Sequence, residues 1–139
     1  MNQAQAVVVQ RLLKATPERV FTALTDAEIM SQWFFARPGW SATVENSFEV
    51  GGAYSINLIG PEGHAFAHTG EYREIVPNQK IVFTWNSLTV RDTLVTIELK
   101  PVAEQTELTL THELITDPVQ REQHDQGWNF VLQNLENIL

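Results

Sequence analysis

The sequence has no cysteine among its 139 residues, which excludes disulfides, thiolate metal ligands and a cysteine nucleophile, and suits a reducing compartment. Basic residues are scarce: 9 lysines and arginines stand against 17 acidic residues, leaving a formal charge of -8. Such a field repels phosphate backbones and anionic lipid, so neither nucleic acid nor membrane docking is expected, while neutral small molecules and basic protein surfaces stay open as partners. No apolar run approaches the length of a membrane span, so membrane insertion is not expected either. Met1 to Gln5 lack the basic start and apolar stretch of a secretion signal. A cytoplasmic location is therefore expected. There is no linker, repeat or low-complexity segment, and a chain of this length buries roughly 70% of its unfolded surface. Residues 1–139 accordingly read as a single domain.

What is present is a run of strands closed by one helix. Val7 to Leu13 is aliphatic and β-branched, and Thr16-Pro17 stops it with an N-cap followed by proline at the first helical position. Val20, Phe21 and Leu24 give the short helix that follows one apolar face. Thr25-Asp26-Ala27-Glu28 has the form of a capping box opening a second short helix, with Ile29 and Trp33 inward. Arg37-Pro38-Gly39 breaks this pattern, Ser41 to Asn46 reads as an edge-like strand, and Gly51-Gly52 as a turn. Tyr54, Ile56 and Leu58 then alternate with polar residues, and Gly60-Pro61-Glu62-Gly63 turns the chain into a strand from Ala65 to Ile75. After the Pro77-Asn78 turn, alternation continues through Ile81, Phe83 and Trp85, then Thr93 to Leu99, then Leu108, Leu110 and His112. Asp117-Pro118 starts the last helix, with Gln120 placed to complete a box with Asp117. Its stripe runs from Trp128 through Val131, Leu132, Leu135, Ile138 and Leu139 at spacings of three and four, and must bury itself against the sheet. The expected class is α+β: a curved antiparallel sheet of six or seven strands around a long C-terminal helix, with two short helices after the first strand.

Four histidines raise the question of a metal. His64 and His68 fall on a turn and a strand, where their separation spans on the order of 13 Å, so they do not converge on an ion. No metal and no cofactor is expected. His112 shares the inward parity of Leu108 and Leu110. Its imidazole either faces the space beneath the long helix or, the preferred reading, is a hydrogen-bonded core group. Trp85 and Trp128 either fill the core or line a cavity with a polar N–H handle. Gly127 costs about 1 kcal/mol inside a helix relative to alanine, which asks for close packing or for room as compensation. Trp33, Phe34, Phe35 and Trp40 form an aromatic cluster that reads as a lid, a partner patch or a plug. Gly51-Gly52 precedes a strand and not a helix, so it is no phosphate loop. No G-x-S-x-G elbow and no triad is legible, Glu71, Glu98 and Glu113 read as solvated charge, and no catalytic residue is assigned.

The order of these motifs resembles the SRPBCC, or START-like, superfamily that includes the birch-pollen allergens. The likeness is nearest to the AHSA-type domain, named after activators of a heat-shock chaperone ATPase. It is carried by Thr16 to Phe21, Gln32-Trp33-Phe34, Gly51 to Tyr54, Gly70-Glu71-Tyr72, Ile81 to Trp85, Thr106 to His112 and Gly127-Trp128. The resemblance implies a helix-grip fold over nearly the whole chain. It does not fix a function, because the superfamily includes lipid carriers, polyketide cyclases and co-chaperones. The co-chaperones carry an additional N-terminal domain for which this chain has no room, so chaperone activation is not expected.

Three functions follow as expectations. The leading one is binding of a hydrophobic or aromatic small molecule in an apolar cavity between sheet and helix, with Trp33, Phe66, Phe83, Trp85, His112 and Trp128 as the ligand-binding residues. The second is a co-chaperone-like module that meets a chaperone or client protein through the Trp33 to Trp40 region or an acidic face. The third is a cyclase- or hydrolase-type enzyme using His112 as acid or base. Exposed aromatics also allow a homodimer.

Overall fold

The computed structural model describes residues 6–35 and 38–139. The readings made on Met1 to Gln5 and on Arg37 fall outside them. Strand β1 (Val7–Leu13) leads into α1 (Pro17–Thr25) and α2 (Ala27–Met30). Six strands follow: β2 (Ser41–Asn46), β3 (Ala53–Ile59), β4 (Ala65–Val76), β5 (Lys80–Trp85), β6 (Thr93–Val102) and β7 (Gln105–Glu113). The chain ends in α3 (Pro118–Ile138). The seven strands form one antiparallel sheet in the order β1-β7-β6-β5-β4-β3-β2. From β2 to β7 this is a plain meander. The two short helices carry the chain from β1 at one edge to β2 at the other.

Period-two alternation decides which face is buried. On β3, Tyr54, Ile56 and Leu58 are buried while their neighbours are not, and β7 repeats the pattern with Thr106, Leu108, Leu110 and His112. Against this face lie Trp128, Val131, Leu132 and Leu135 of α3. Ile138, expected in the same stripe, is exposed, because the helix turns it off the sheet in its last turn; Leu139 packs on the core. The sheet bends at β4. A register shift between Tyr72 and Glu74 leaves Arg73 as the extra residue of a bulge, which sharpens local twist. Beside it, a Cβ on Gly70 would collide with the Thr84 carbonyl and the Tyr54 ring, so the two halves of the sheet close over a glycine.

Helix starts follow side-chain acceptors, with one shift from expectation. Thr16 caps α1 and Pro17 opens it. Thr25 is not the cap of α2; it is the last residue of α1, its hydroxyl donating to Phe21 O at 2.9 Å, and Asp26 caps α2 by accepting from Ile29 N at 3.1 Å. The carboxylate one residue along is the better acceptor, and the helix starts there. At α3, Asp117 caps through Val119 N at 2.9 Å, but Gln120 does not return the bond: its Oε1 is buried without a partner. No helix among the described residues is long and apolar enough to cross a membrane.

Candidate functional site

The space between the middle of α3 and the sheet is nearly full. Trp33, Tyr54, Tyr72, Phe83 and Leu132 surround a void of about 30 Å³, room for about one water molecule. Trp33 is anchored there by its indole N–H, which donates to Ala23 O at 3.0 Å. Phe83 meets Tyr54 edge-on at 5.5 Å. Tyr54 donates its hydroxyl to the Thr84 carbonyl, and burial pushes its pKa above the usual tyrosine range. These two predicted ligand residues therefore belong to a packed centre.

The larger opening lies toward the N-terminal half of α3. It holds about 180 Å³. Trp85 from the end of β5 and Trp128 from α3 form its aromatic wall, their rings 5.0 Å apart, with Phe34 edge-on to Trp128 at 5.7 Å. Leu58 and Val131 complete the apolar side. The polar lining is His68, whose ring lies 4.9 Å from that of Trp85, with Ser87, Thr89, Gln120, Gln123 and His124. Gly127 also lines the opening, and a Cβ there would meet no atom beyond its own helical turn within 4 Å. Of the two explanations the sequence allows for this glycine, the structure gives room and not close packing.

The opening continues outward into a shallow cleft of about 520 Å³. The two share Leu58, His68, Ser87, Thr89 and Gln123. Phe66 lies in this outer cleft, stacked on Trp40 at 5.6 Å and 39% exposed. The Trp33 to Trp40 cluster is thus divided: Trp33 and Phe34 plug the interior, and Trp40 pairs with Phe66 at the rim.

His112 stands behind the aromatic wall, fully buried. The Trp128 indole N–H donates to its Nδ1 at 3.0 Å, so Nδ1 carries no proton. Nε2–H then donates to Thr93 Oγ1 at 2.8 Å, and the Thr93 hydroxyl donates to Trp85 O at 2.7 Å. One relay thereby fixes both tryptophans of the wall. Burial, with His124 adding a smaller push, lowers the His112 pKa to about 3. The core-group reading of His112 holds, and a neutral imidazole with both nitrogens engaged is unsuited to acid–base work.

His68 and His124, weighed in the sequence only as metal ligands and set aside, line the opening although neither is among the expected ligand-binding residues. Burial lowers the pKa of each. Nδ1–H of His124 donates to the Gln120 carbonyl at 2.8 Å. A carbonyl only accepts, so that proton is on Nδ1 and Nε2 keeps its lone pair. The signal for His124 was spacing: Gln120, His124 and Trp128 recur every four residues and share one helical face. The 180 Å³ opening has no carboxylate, lysine or arginine in its lining. Among the described residues, no group of three or more histidine, aspartate or glutamate side chains is placed to hold a metal ion.

A sheet curled round one long helix, with a small opening at the helix's N-terminal half, defines a protein of the helix-grip class. Within that class the chain belongs to the family described as activator of Hsp90 ATPase homolog 1-like protein, whose model matches residues 14–139. It is similar to protein CV1439 from Chromobacterium violaceum, at 29% identity over 97% of this chain and 96% of that one, with a TM-score of 0.89. Protein NE0264 from Nitrosomonas europaea shares the fold at 24% identity, over 100% of this chain and 96% of that one, with a TM-score of 0.85. An AHSA1-like protein from Aeromonas hydrophila does so at 18% identity, over 95% and 90% of the two chains, with a TM-score of 0.81. Among curated proteins, no relative matches the chain.

Proposed function

We propose that this protein binds a small aromatic molecule in the opening walled by Trp85 and Trp128. The observation that carries this reading is Gly127, a helix-interior glycine whose missing side chain leaves space beside that wall. A helix keeps such a residue at a cost of about 1 kcal/mol relative to alanine, and open space there gains nothing for folding. Size narrows the ligand. The void is about 180 Å³, and an apolar cavity of about 150 Å³ is known to accept benzene, whereas drug-sized ligands need about 300 Å³ or more. One aromatic ring fits inside, and any substituent extends into the outer cleft past Phe66 and Trp40.

The test is tryptophan fluorescence titrated with one-ring aromatic compounds, on the native protein and on a Gly127→Leu variant. The native protein should respond saturably, because Trp85 and Trp128 both contact the occupant. The substitution fills the opening and favours the helix, so binding should fall at least tenfold while thermal stability is kept. No saturable response from any one-ring compound, or one untouched by Gly127→Leu, rejects the reading.

A further inference from the structure

The opening in front of Trp85 and Trp128 has an unusual polar complement. Gln120 is among its lining residues, and the side-chain oxygen of Gln120 is buried and accepts from nothing. His124, one helical turn on, lines it too, and its Nε2 has a lone pair with no partner among the described residues, since the backbone bond commits the proton to Nδ1. Both are acceptors in want of a hydrogen. Trp85 supplies the reverse: its indole N–H is buried without an acceptor. Unpaired buried polar groups cost about 1–3 kcal/mol each, so two such atoms on residues lining one opening, with the open lone pair of His124 beside them, are a feature to explain. Behind the wall, by contrast, the relay through His112 and Thr93 pairs both imidazole nitrogens, the Thr93 hydroxyl and the Trp128 indole N–H. No formal charge stands in the lining to compensate an ion, and burying one without a counter-charge is far costlier than burying a hydroxyl.

We infer that the ligand is an uncharged, single-ring aromatic carrying an O–H or N–H donor, a phenol being the simplest case. The ring lies against Trp85 and Trp128, and its hydroxyl hydrogen goes to the acceptors Gln120 Oε1 or His124 Nε2. The hydroxyl oxygen can in turn accept from Trp85 Nε1. This inference rests on the proposed binding of a small aromatic molecule and adds the chemistry that selects it. A plain apolar hole of this size makes the opposite choice, since moving a hydroxyl out of water without a partner opposes binding.

Three probes of nearly one shape decide the matter: p-cresol, toluene and benzoate, each titrated against the native protein at pH 7.5 by calorimetry or by chemical shifts of the tryptophan indole protons. One well-made hydrogen bond is worth about 1 kcal/mol, or five- to tenfold in affinity. p-Cresol should therefore bind at least fivefold tighter than toluene, and benzoate at least tenfold weaker than p-cresol. Gln120→Leu and His124→Leu should each lower the ratio of p-cresol to toluene affinity by threefold or more. Toluene binding reports in the same experiment that the variant retains its fold. Toluene binding as tightly as p-cresol, or a ratio indifferent to both substitutions, overturns the donor requirement while leaving the aromatic site standing. Benzoate binding most tightly overturns the uncharged ligand. If none of the three binds, the aromatic site itself is rejected.

Discussion

Buried without a counter-charge, His112 links folding to pH. Its folded-state pKa is lowered from 6.5 to about 3, so between those values the unfolded chain takes up a proton that the folded chain refuses. Stability is complete above about pH 6.5 and is lost as pH falls toward 3, by at most about 1.4 kcal/mol per pH unit for this group. His68 and His124 are shifted in the same direction by burial and add to the slope. Urea midpoints measured between pH 7 and pH 5, above the range of ordinary carboxylates, should decline, and His112→Gln should flatten the decline. An amide at this position can still accept from Trp128 and donate to Thr93 while carrying no charge. An unchanged slope in that variant would show that His112 is not the titrating group. The inward parity of His112 was legible from Leu108 and Leu110. Its partners were not, because Thr93 and Trp128 reach it from a different strand and from the helix.

At the level of elements, the side chain of Asn134 on α3 ties down the segment just after α2. Asn134 Nδ2 donates to Trp33 O at 3.1 Å and to Phe35 O at 3.0 Å. This pins the segment that carries Phe34 into the aromatic wall, so the shape of the opening depends on it. Asn134→Leu removes both bonds and should cost about 1–3 kcal/mol. Hydrogen exchange at residues 33–35 should quicken by more than the global loss accounts for; uniform acceleration along the chain would mean that the asparagine contributes only general stability. Such a clamp is not visible in the sequence, which offers no reason to join residue 134 to residues a hundred positions earlier. The elements themselves were visible. Alternation marked β3 and β5 to β7, Gly60 to Gly63 marked the hairpin, and Asp117-Pro118 marked the helix start. Boundaries shifted where two acceptors compete, as at Thr25 and Asp26. The turn between β6 and β7 had no local signal, since it is made by Ala103 at φ 56° without glycine, proline or asparagine.

For the molecule as a whole, the packed centre and the open end separate two kinds of ligand that the fold alone would admit. The sequence predicts facing apolar surfaces, but the space left between them depends on how Trp33, Phe34 and Phe83 fill it, and no local pattern gives that volume. With only about 30 Å³ free beneath the middle of α3, a long acyl chain has nowhere to lie unless the helix separates from the sheet. That separation would expose Val131, Leu132 and Leu135, each worth about 1.5–3 kcal/mol when buried. A one-ring ligand at a hundred times its dissociation constant stabilises the folded chain by about 2.7 kcal/mol, which for a domain of this size raises Tm by roughly 5–10 °C. Palmitate below its micellar concentration should leave Tm within about 1 °C, since its chain gains no burial without that separation. A palmitate shift as large as that of the aromatic ligand would mean that α3 lifts away readily and that the closed centre is one state of an opening grip.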